Sequence, residues 1–150
     1  MKENQARILL VDEESLCISV VQDCLESRGY TVHTTSDGQS VIDLITSWQP
    51  DLIILGCCMP DLNGHEICRR IREFSWVPIV MLAASARESD ELEGLKSGAD
   101  DYVTRPFSVN ELMARVRAKL RRAEWAKHGD PWHLLNTRDA LADLLPAAVE

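Results

Sequence analysis

The stretch Leu52–Leu55 constrains the fold most, because four consecutive apolar residues fit a strand that is buried on both faces. Pro60 and the turn pair Asn63-Gly64 follow, and a helical pattern begins at His65. Such a strand belongs in the middle of a parallel sheet that has helices on both sides. Chemistry in these sheets occurs where the strands end. The residue at that end is Gly56, which has no side chain to react.

Further β-prone runs alternate with helical patterns along the chain. Strands are predicted at Arg7–Val11, Tyr30–Thr35, Pro78–Leu82 and Asp101–Thr104. Helices are predicted at Ser15–Arg28, Asp37–Trp48, Ile67–Phe74, Glu88–Lys96 and Val109 to about Lys127. This alternation predicts an α/β fold, a doubly wound five-stranded parallel sheet in the order 2-1-3-4-5 with right-handed crossovers.

Length and charge limit the classes of protein that fit. A chain of 150 residues suits one domain, predicted at 1–122, with a helical extension or linker at 123–150. The net charge of −8 argues against nucleic-acid binding across the whole surface. The polar N-terminus does not fit a signal peptide, and no apolar run reaches the roughly 18 residues that a membrane span needs. The five cysteines have no disulfide-rich spacing, so we expect reduced thiols and a cytoplasmic protein.

Acidic residues follow the first predicted strand. Asp12 and Glu13 lie at its end, beside the end of the third strand at Gly56. A cluster of two carboxylates beside a third carboxylate is a typical arrangement for binding Mg²⁺ in phosphoryl transfer.

At this point the chain resembles the response-regulator receiver domain of two-component signalling, over residues 5–122. The matching stretches are Ile8–Glu13, Pro50–Leu55, Met59–Gly64, Pro78–Leu82 and Gly98–Phe107. The resemblance implies a flavodoxin-like receiver fold and a signalling function rather than an enzyme.

The resemblance also shows where this chain departs from the family. The position of the phosphoacceptor aspartate is Gly56, and the hydroxyl residue that ends strand four is replaced by Ala83. The family's lysine is replaced by Arg105, which keeps the charge but presents a planar fork. The acidic pocket residues Asp12 and Glu13 remain, as does the aromatic switch position, Tyr102.

These departures predict a pseudo-receiver that works without aspartyl phosphate, because no carboxylate stands at Gly56 to attack a phosphoryl donor. Mg²⁺ binding by Asp12 and Glu13 should be weakened, so no cofactor is expected. Asp61 is the substitute acceptor to consider first, although a solvated turn residue suits its position better. We expect Arg105 to pair with Asp12 or Glu13 across the space of the missing carboxylate. An arginine that points into solvent is the alternative.

A second reading is a metal- or thiol-dependent sensor that uses Cys57, Cys58, His65 and Cys68. These are soft ligands of the kind that bind zinc. Their spacing matches no established zinc pattern, and adjacent residues on a strand point to opposite faces. Apolar core cysteines are therefore the preferred interpretation.

The charges of the last two predicted helices differ in sign. The last helix is basic, whereas the region around the fourth is acidic, with Glu88, Asp90, Glu91, Glu93, Asp100 and Asp101. The layout resembles the receivers of winged-helix transcription factors, which dimerise through helix four, strand five and helix five. We expect a homodimer through this face and a protein partner, either a histidine kinase or an effector domain. Direct contact with nucleic acid or membrane is not expected.

The last residues allow a third reading. The segment from Asp130 to Leu141 is faintly similar to the opening of diguanylate cyclase domains, although it lacks one residue and two motif positions. The chain would then be the regulatory fragment of a larger transcription factor or diguanylate cyclase. A plain amphipathic helix is the simpler interpretation of this segment.

Overall fold

The computed structural model describes residues 6–56, 63–83, 92 and 95–128. Its strands are β1 (Arg7–Val11), β2 (Thr31–Thr35), β3 (Leu52–Gly56), β4 (Ile79–Ala83) and β5 (Asp101–Thr104). The helices with defined bounds are α1 (Ser15–Ser27), α2 (Gly38–Ser47), α3 (Gly64–Arg72) and the Val109 helix (Val109–His128).

The five strands form one parallel sheet in the order β2-β1-β3-β4-β5, as the sequence predicted. β3 lies in the middle and all five of its residues are buried, because helices cover both faces of the sheet. Val11 is paired with Leu55, and Gly56 with Leu82. This register brings the carboxyl ends of β1, β3 and β4 to the same edge of the sheet.

Two helices begin at side-chain caps that the sequence supplies. Asp37 accepts a hydrogen bond from the backbone N–H of Gln39 at 3.0 Å, at the start of α2. Asn63 accepts one from the N–H of His65 at 2.7 Å, at the start of α3. Each cap satisfies a backbone donor that a helix start leaves unpaired.

The core is divided between the two faces of the sheet. On one face, α2 and α3 pack their apolar residues against alternate strand residues such as Leu9, Ile53 and Met81. On the other face, α1 and the Val109 helix cover the intervening residues such as Leu10, Ile54 and Val80. This alternation follows from the two-residue period of a strand, which sends successive side chains to opposite faces.

Arg72 at the end of α3 fixes the loops that precede β4 and β5. It donates to the carbonyls of Gly98 (2.8 Å), Ser75 (3.2 Å) and Val77 (2.7 Å) and to the carboxylate of Asp100 (2.8 Å). Gly98 has φ +113°, and a Cβ there would lie 2.6 Å from Arg72 Cγ. Only glycine fits this backbone conformation and this close approach.

The predicted element bounds agree with the structure within one to three residues, as expected for helix and strand ends. The predicted fourth helix lies largely outside the described residues. Within its predicted range the structure describes Leu92, Leu95 and Lys96, and all three are helical. The chain divides into two units, Met1–Leu120 and Arg121–Glu150. The predicted boundary at residue 122 stays a prediction. None of the helices in the described ranges combines the length and the apolar character that crossing a membrane requires.

Candidate functional site

The predicted site residues come together at the carboxyl edge of the sheet. Asp12 directly follows β1, Gly56 ends β3, Ala83 ends β4 and Arg105 directly follows β5. The backbone N–H of Arg105 donates to the carbonyl of Ala83 at 2.8 Å, which ties the loop after β5 to the end of β4. The parallel register therefore places positions that are far apart in sequence into one pocket.

Asp12 is the buried carboxylate of this pocket, with 2% of its surface exposed. Its Oδ1 accepts hydrogen bonds from the backbone N–H groups of Glu13 at 2.8 Å and Glu14 at 3.4 Å. Its Oδ2 accepts a hydrogen bond from Arg105 Nη2. Both oxygens of Asp12 therefore have donors within the protein.

Gly56 provides the space that the Asp12 carboxylate uses. A Cβ on Gly56 would lie 3.1 Å from Asp12 Oδ1, 3.2 Å from its Cγ and 3.3 Å from the carbonyl oxygen of Val11. These approaches are close, so any side chain at this position would press on Asp12. The Asp12 carboxylate can therefore occupy its observed position because residue 56 has no side chain.

Arg105 lies between two carboxylates. Its Nη2 contacts Asp12, and its Nη1 donates to Glu14 Oε2 at 3.3 Å. Burial lowers the pKa of Arg105, whereas the Asp12 charge, the Cys17 contact and the Glu14 charge raise it. The raising effects together are larger, so the pKa of Arg105 lies above its usual value. The guanidinium is therefore permanently charged. Its Nε is buried and has no hydrogen-bond partner within the described part of the chain.

The predicted pairing of Arg105 with Asp12 is present. Glu13, the other predicted partner, is exposed, and Glu14 takes the second guanidinium contact instead. Sequence reasoning missed Glu14 because the motif names only the first two acidic residues. The signal was available, since Glu14 is the third residue of one acidic run and immediately precedes α1.

Cys17 is a second contact that sequence reasoning missed. Arg105 Nη2 lies 3.6 Å from its Sγ. Burial raises the pKa of the Cys17 thiol, and the neighbouring guanidinium offsets part of that rise. Cys17 is half-buried rather than fully in the core, and it lies in the first turn of α1.

An apolar groove of about 480 Å³ adjoins the pocket, and Arg105 and Glu14 contribute to its lining. Its walls come from α1, the segment after β5 and the start of the Val109 helix, through Leu16, Val20, Val21, Pro106, Phe107 and Val109. Leu16 is 71% exposed, so this part of α1 is not covered by the domain itself.

The two remaining switch positions lie under α2 and α3. Ala83 is fully buried and Tyr102 is 8% exposed, and both belong to the core cluster on this face of the sheet. Ala83 has no hydroxyl that could contact a phosphoryl group. The substitute acceptor that the sequence suggested, Asp61, lies outside the described residues.

The proposed sulfur and imidazole cluster is only partly described, since Cys57 and Cys58 lie outside the described residues. Cys68 is fully buried in the core, where burial raises the pKa of its thiol and a hydrogen bond with Ser97 lowers it in part. His65 Nε2 is buried and has no hydrogen-bond partner among the described residues. Within those residues no group of three or more potential metal ligands occurs, so the four-residue site stays a prediction.

Charged pairs occur where β5 meets the Val109 helix. Arg115 donates to Asp101 Oδ1 at 2.7 Å and to Glu111 Oε1 at 3.0 and 3.2 Å. The hydrogen bond with Asp101 raises the pKa of Arg115 above its usual value. In the predicted fourth helix, Leu92 and Leu95 are 47% and 42% exposed. This region therefore combines exposed leucines with fixed charges.

Comparison with known proteins agrees with the fold. A family model for the response regulator receiver domain matches residues 8–117. The probable transcriptional regulator ycf27 of Guillardia theta is 44% identical over 124 residues, which are 83% of this chain and 49% of that protein. The chain thus spans about half the length of this curated relative.

Solved receiver structures superpose closely. The receiver domain of the Francisella response regulator 1452 has a TM-score of 0.75 at 30% identity, covering 79% of this chain and 98% of that one. A two-component response regulator from Clostridium difficile has a TM-score of 0.75 at 31% identity, with the same coverage.

The doubly wound sheet in the order β2-β1-β3-β4-β5 defines the class as a domain of the flavodoxin-like receiver fold. The chain belongs to the response regulator receiver domain family. Receiver domains act in two-component signalling, where they interact with histidine kinases and effectors.

Receiver domains typically use Mg²⁺ for phosphorylation, and this ion needs several oxygen ligands in near-octahedral geometry. Asp12 is the only buried carboxylate among the described residues, and both its oxygens accept hydrogen bonds from protein donors. Gly56 adds no side-chain oxygen. The residues of this pocket that the structure describes therefore do not fit a divalent cation.

Proposed function

We propose that this receiver domain signals as an interaction module without forming an aspartyl phosphate. The observation that carries the proposal is the position of Asp12. Its carboxylate lies close to the place where a side chain on Gly56 would begin, and it forms an ion pair with Arg105. A receiver needs a carboxylate nucleophile and a cation that neutralises the transferred phosphoryl group. The first is missing at Gly56, and the cationic side chain at Arg105 is already paired.

In this proposal the loops after β1 and β5 stay in one arrangement. Arg105 is bound to Asp12 and Glu14 on one side and through its backbone to Ala83 on the other. Signal would then depend on the binding of a protein partner, a histidine kinase or an effector domain, and on the amount of protein in the cytoplasm.

We further propose that the domain forms a homodimer through its fourth helix, β5 and the Val109 helix. Exposed Leu92 and Leu95 would supply the apolar centre of the interface, and Arg115 with Asp101 and Glu111 would supply its charged part. Interfaces of this kind have an apolar core and a polar rim. A two-fold axis would bring each charged group close to the partner's opposite charge.

A second candidate function is the regulatory half of a transcriptional regulator. It is favoured by the relative ycf27, which carries that description and is about twice as long as the matched region. Determining the complete coding sequence of the gene tests this candidate directly. A DNA-binding domain encoded after residue 150 would support it.

The proposed function is tested by incubating the protein with acetyl phosphate and Mg²⁺ and measuring intact mass and light scattering. We expect no added phosphate and no change in assembly. The matched positive control is the triple variant Gly56→Asp/Ala83→Thr/Arg105→Lys, which restores the family's residues and should gain one phosphate. A stoichiometric mass gain in the native protein would contradict the proposal and would direct attention first to Asp61.

A further inference from the structure

The cation in the acidic pocket is part of the chain itself. Arg105 reaches Asp12 with Nη2 and Glu14 with Nη1. A guanidinium presents several donors in a fixed fork and stays charged at all ordinary pH values, so it can serve two carboxylates at once.

The one buried carboxylate of this pocket is paired with one partly buried guanidinium. Asp12 contributes one buried negative charge, whereas Glu13 and Glu14 are exposed and are screened by water. A receiver pocket with an additional carboxylate at position 56 would hold a second buried negative charge, which requires a further cation. Because Gly56 removes that charge, one guanidinium is enough.

The positions of Asp12 and Gly56 are also linked sterically. Asp12 Oδ1 lies where it would be 3.1 Å from a Cβ on Gly56, and the same oxygen accepts two backbone N–H groups. A side chain at position 56 would therefore displace the Asp12 carboxylate from the orientation in which Arg105 holds it.

From these observations we infer that Arg105 is a built-in replacement for the divalent cation of the receiver pocket. The inference deepens the proposed fixed state and rests on it. Two consequences distinguish it from simple loss of the acceptor. The native pocket does not take up Mg²⁺ or Mn²⁺, and restoring an aspartate at position 56 alone does not restore metal binding while Arg105 occupies the pocket.

The test compares thermal unfolding with and without about 10 mM MgCl₂ for the native protein, Gly56→Asp and Gly56→Asp/Arg105→Lys. We expect no Mg²⁺-dependent shift in Tm for the first two and a rise of about 2–4 °C for the double variant. Gly56→Asp/Arg115→Lys is the matched control, because it changes an ion-paired arginine outside the pocket, and it should behave like Gly56→Asp. The inference is overturned if Gly56→Asp alone shows the same Mg²⁺ shift as Gly56→Asp/Arg105→Lys, or if the latter shows none.

A direct measurement covers the case in which the double variant does not fold. Mn²⁺ is titrated into the native protein and into Asp12→Asn, and bound ion is measured by electron paramagnetic resonance. We expect no Mn²⁺ bound at Asp12 in the native protein. A bound ion in the native protein that is absent from Asp12→Asn overturns the inference. Its failure is distinguishable from failure of the proposed function. Native protein that binds the metal but gains no phosphate contradicts the inference alone, whereas native protein that gains phosphate without binding the metal contradicts the proposed function alone.

Discussion

The Arg105 guanidinium donates a hydrogen bond to the buried carboxylate of Asp12 and thereby joins the loops that follow β5 and β1. The two residues are 93 positions apart in the chain, and the parallel sheet brings them together. Asp12 is almost fully buried, while the Arg105 side chain is 29% exposed. The pair therefore combines one strongly desolvated charge with a partner that water reaches in part.

Removing Arg105 should destabilise the domain. Arg105→Ala leaves the buried Asp12 carboxylate without a cation, and breaking a buried pair in this way costs about 3–5 kcal/mol. Because water screens the exposed part of Arg105, we expect a loss of about 2 kcal/mol in the free energy of unfolding. Urea unfolding followed by circular dichroism measures this loss.

The matched control for this substitution is Arg70→Ala. Arg70 is 44% exposed and lies 3.8 Å from Glu66, a surface pair that should contribute less than about 0.5 kcal/mol. Equal destabilisation by both substitutions would show that the Arg105 pair has no special role in holding the pocket.

Adding a single methyl group at Gly56 should disturb Asp12 without adding charge. In Gly56→Ala the new Cβ would lie 3.1 Å from Asp12 Oδ1, so the carboxylate must move relative to Arg105. We expect a loss of about 1 kcal/mol. A double-mutant cycle with Arg105→Ala should give a coupling energy of about 0.5–1 kcal/mol, and additive effects would mean that the two positions are independent.

The sequence predicted those features of the pocket that local residue patterns define, and it did not predict those that depend on side-chain direction. The strand order and the convergence of Asp12, Gly56, Ala83 and Arg105 could be predicted, because apolar runs and motif positions define where parallel strands end. The choice between Asp12 and Glu13 as the partner of Arg105 could not. It depends on which side chain faces the pocket, and the turn after β1 decides that.

Other contacts had no sequence signal of their own. The contact between Cys17 and Arg105 depends on the path of the loop after β5, which no local pattern around Cys17 shows. Arg72 is one of several arginines at the end of α3. Two of its acceptors, at Ser75 and Val77, follow shortly in the chain, whereas those at Gly98 and Asp100 lie 26 and 28 positions away. Long side chains of this kind reach partners that a spacing rule does not show.

Gly98 should tolerate no side chain. In Gly98→Ala the Cβ would approach Arg72 Cγ to 2.6 Å, and the φ of +113° is strained for any residue with a side chain. We expect a loss of about 2–3 kcal/mol in the free energy of unfolding, because Arg72 must leave at least some of its acceptors. Ser47→Ala at the exposed end of α2 is the control and should stay within about 0.5 kcal/mol. A Gly98→Ala protein as stable as the control would contradict the role assigned to Arg72.

Cys68 should not react with alkylating agents in the folded protein at neutral pH. The thiolate is the reactive form, and burial raises the pKa of Cys68, so the neutral thiol persists to higher pH than in the unfolded chain. Iodoacetamide labelling followed by peptide mass mapping, with and without urea, measures this protection. Half-buried Cys24 is the internal reference and should label faster. Rapid labelling of Cys68 without urea would favour the thiol-sensor reading instead.

The proposed dimer should depend on Leu95. Leu95 is 42% exposed, and Leu95→Arg would place a charge in the apolar centre of the proposed interface. Burying an unpaired charge costs several kcal/mol, so we expect the dimer to dissociate to a monomer with unchanged circular dichroism. Leu16→Arg is the matched control, because Leu16 is even more exposed but lies on α1 beside the groove. Size-exclusion chromatography with light scattering measures both variants. If Leu16→Arg dissociates the dimer and Leu95→Arg does not, the interface lies on the α1 side of the domain, and the charges around Arg115 serve only the fold of the monomer.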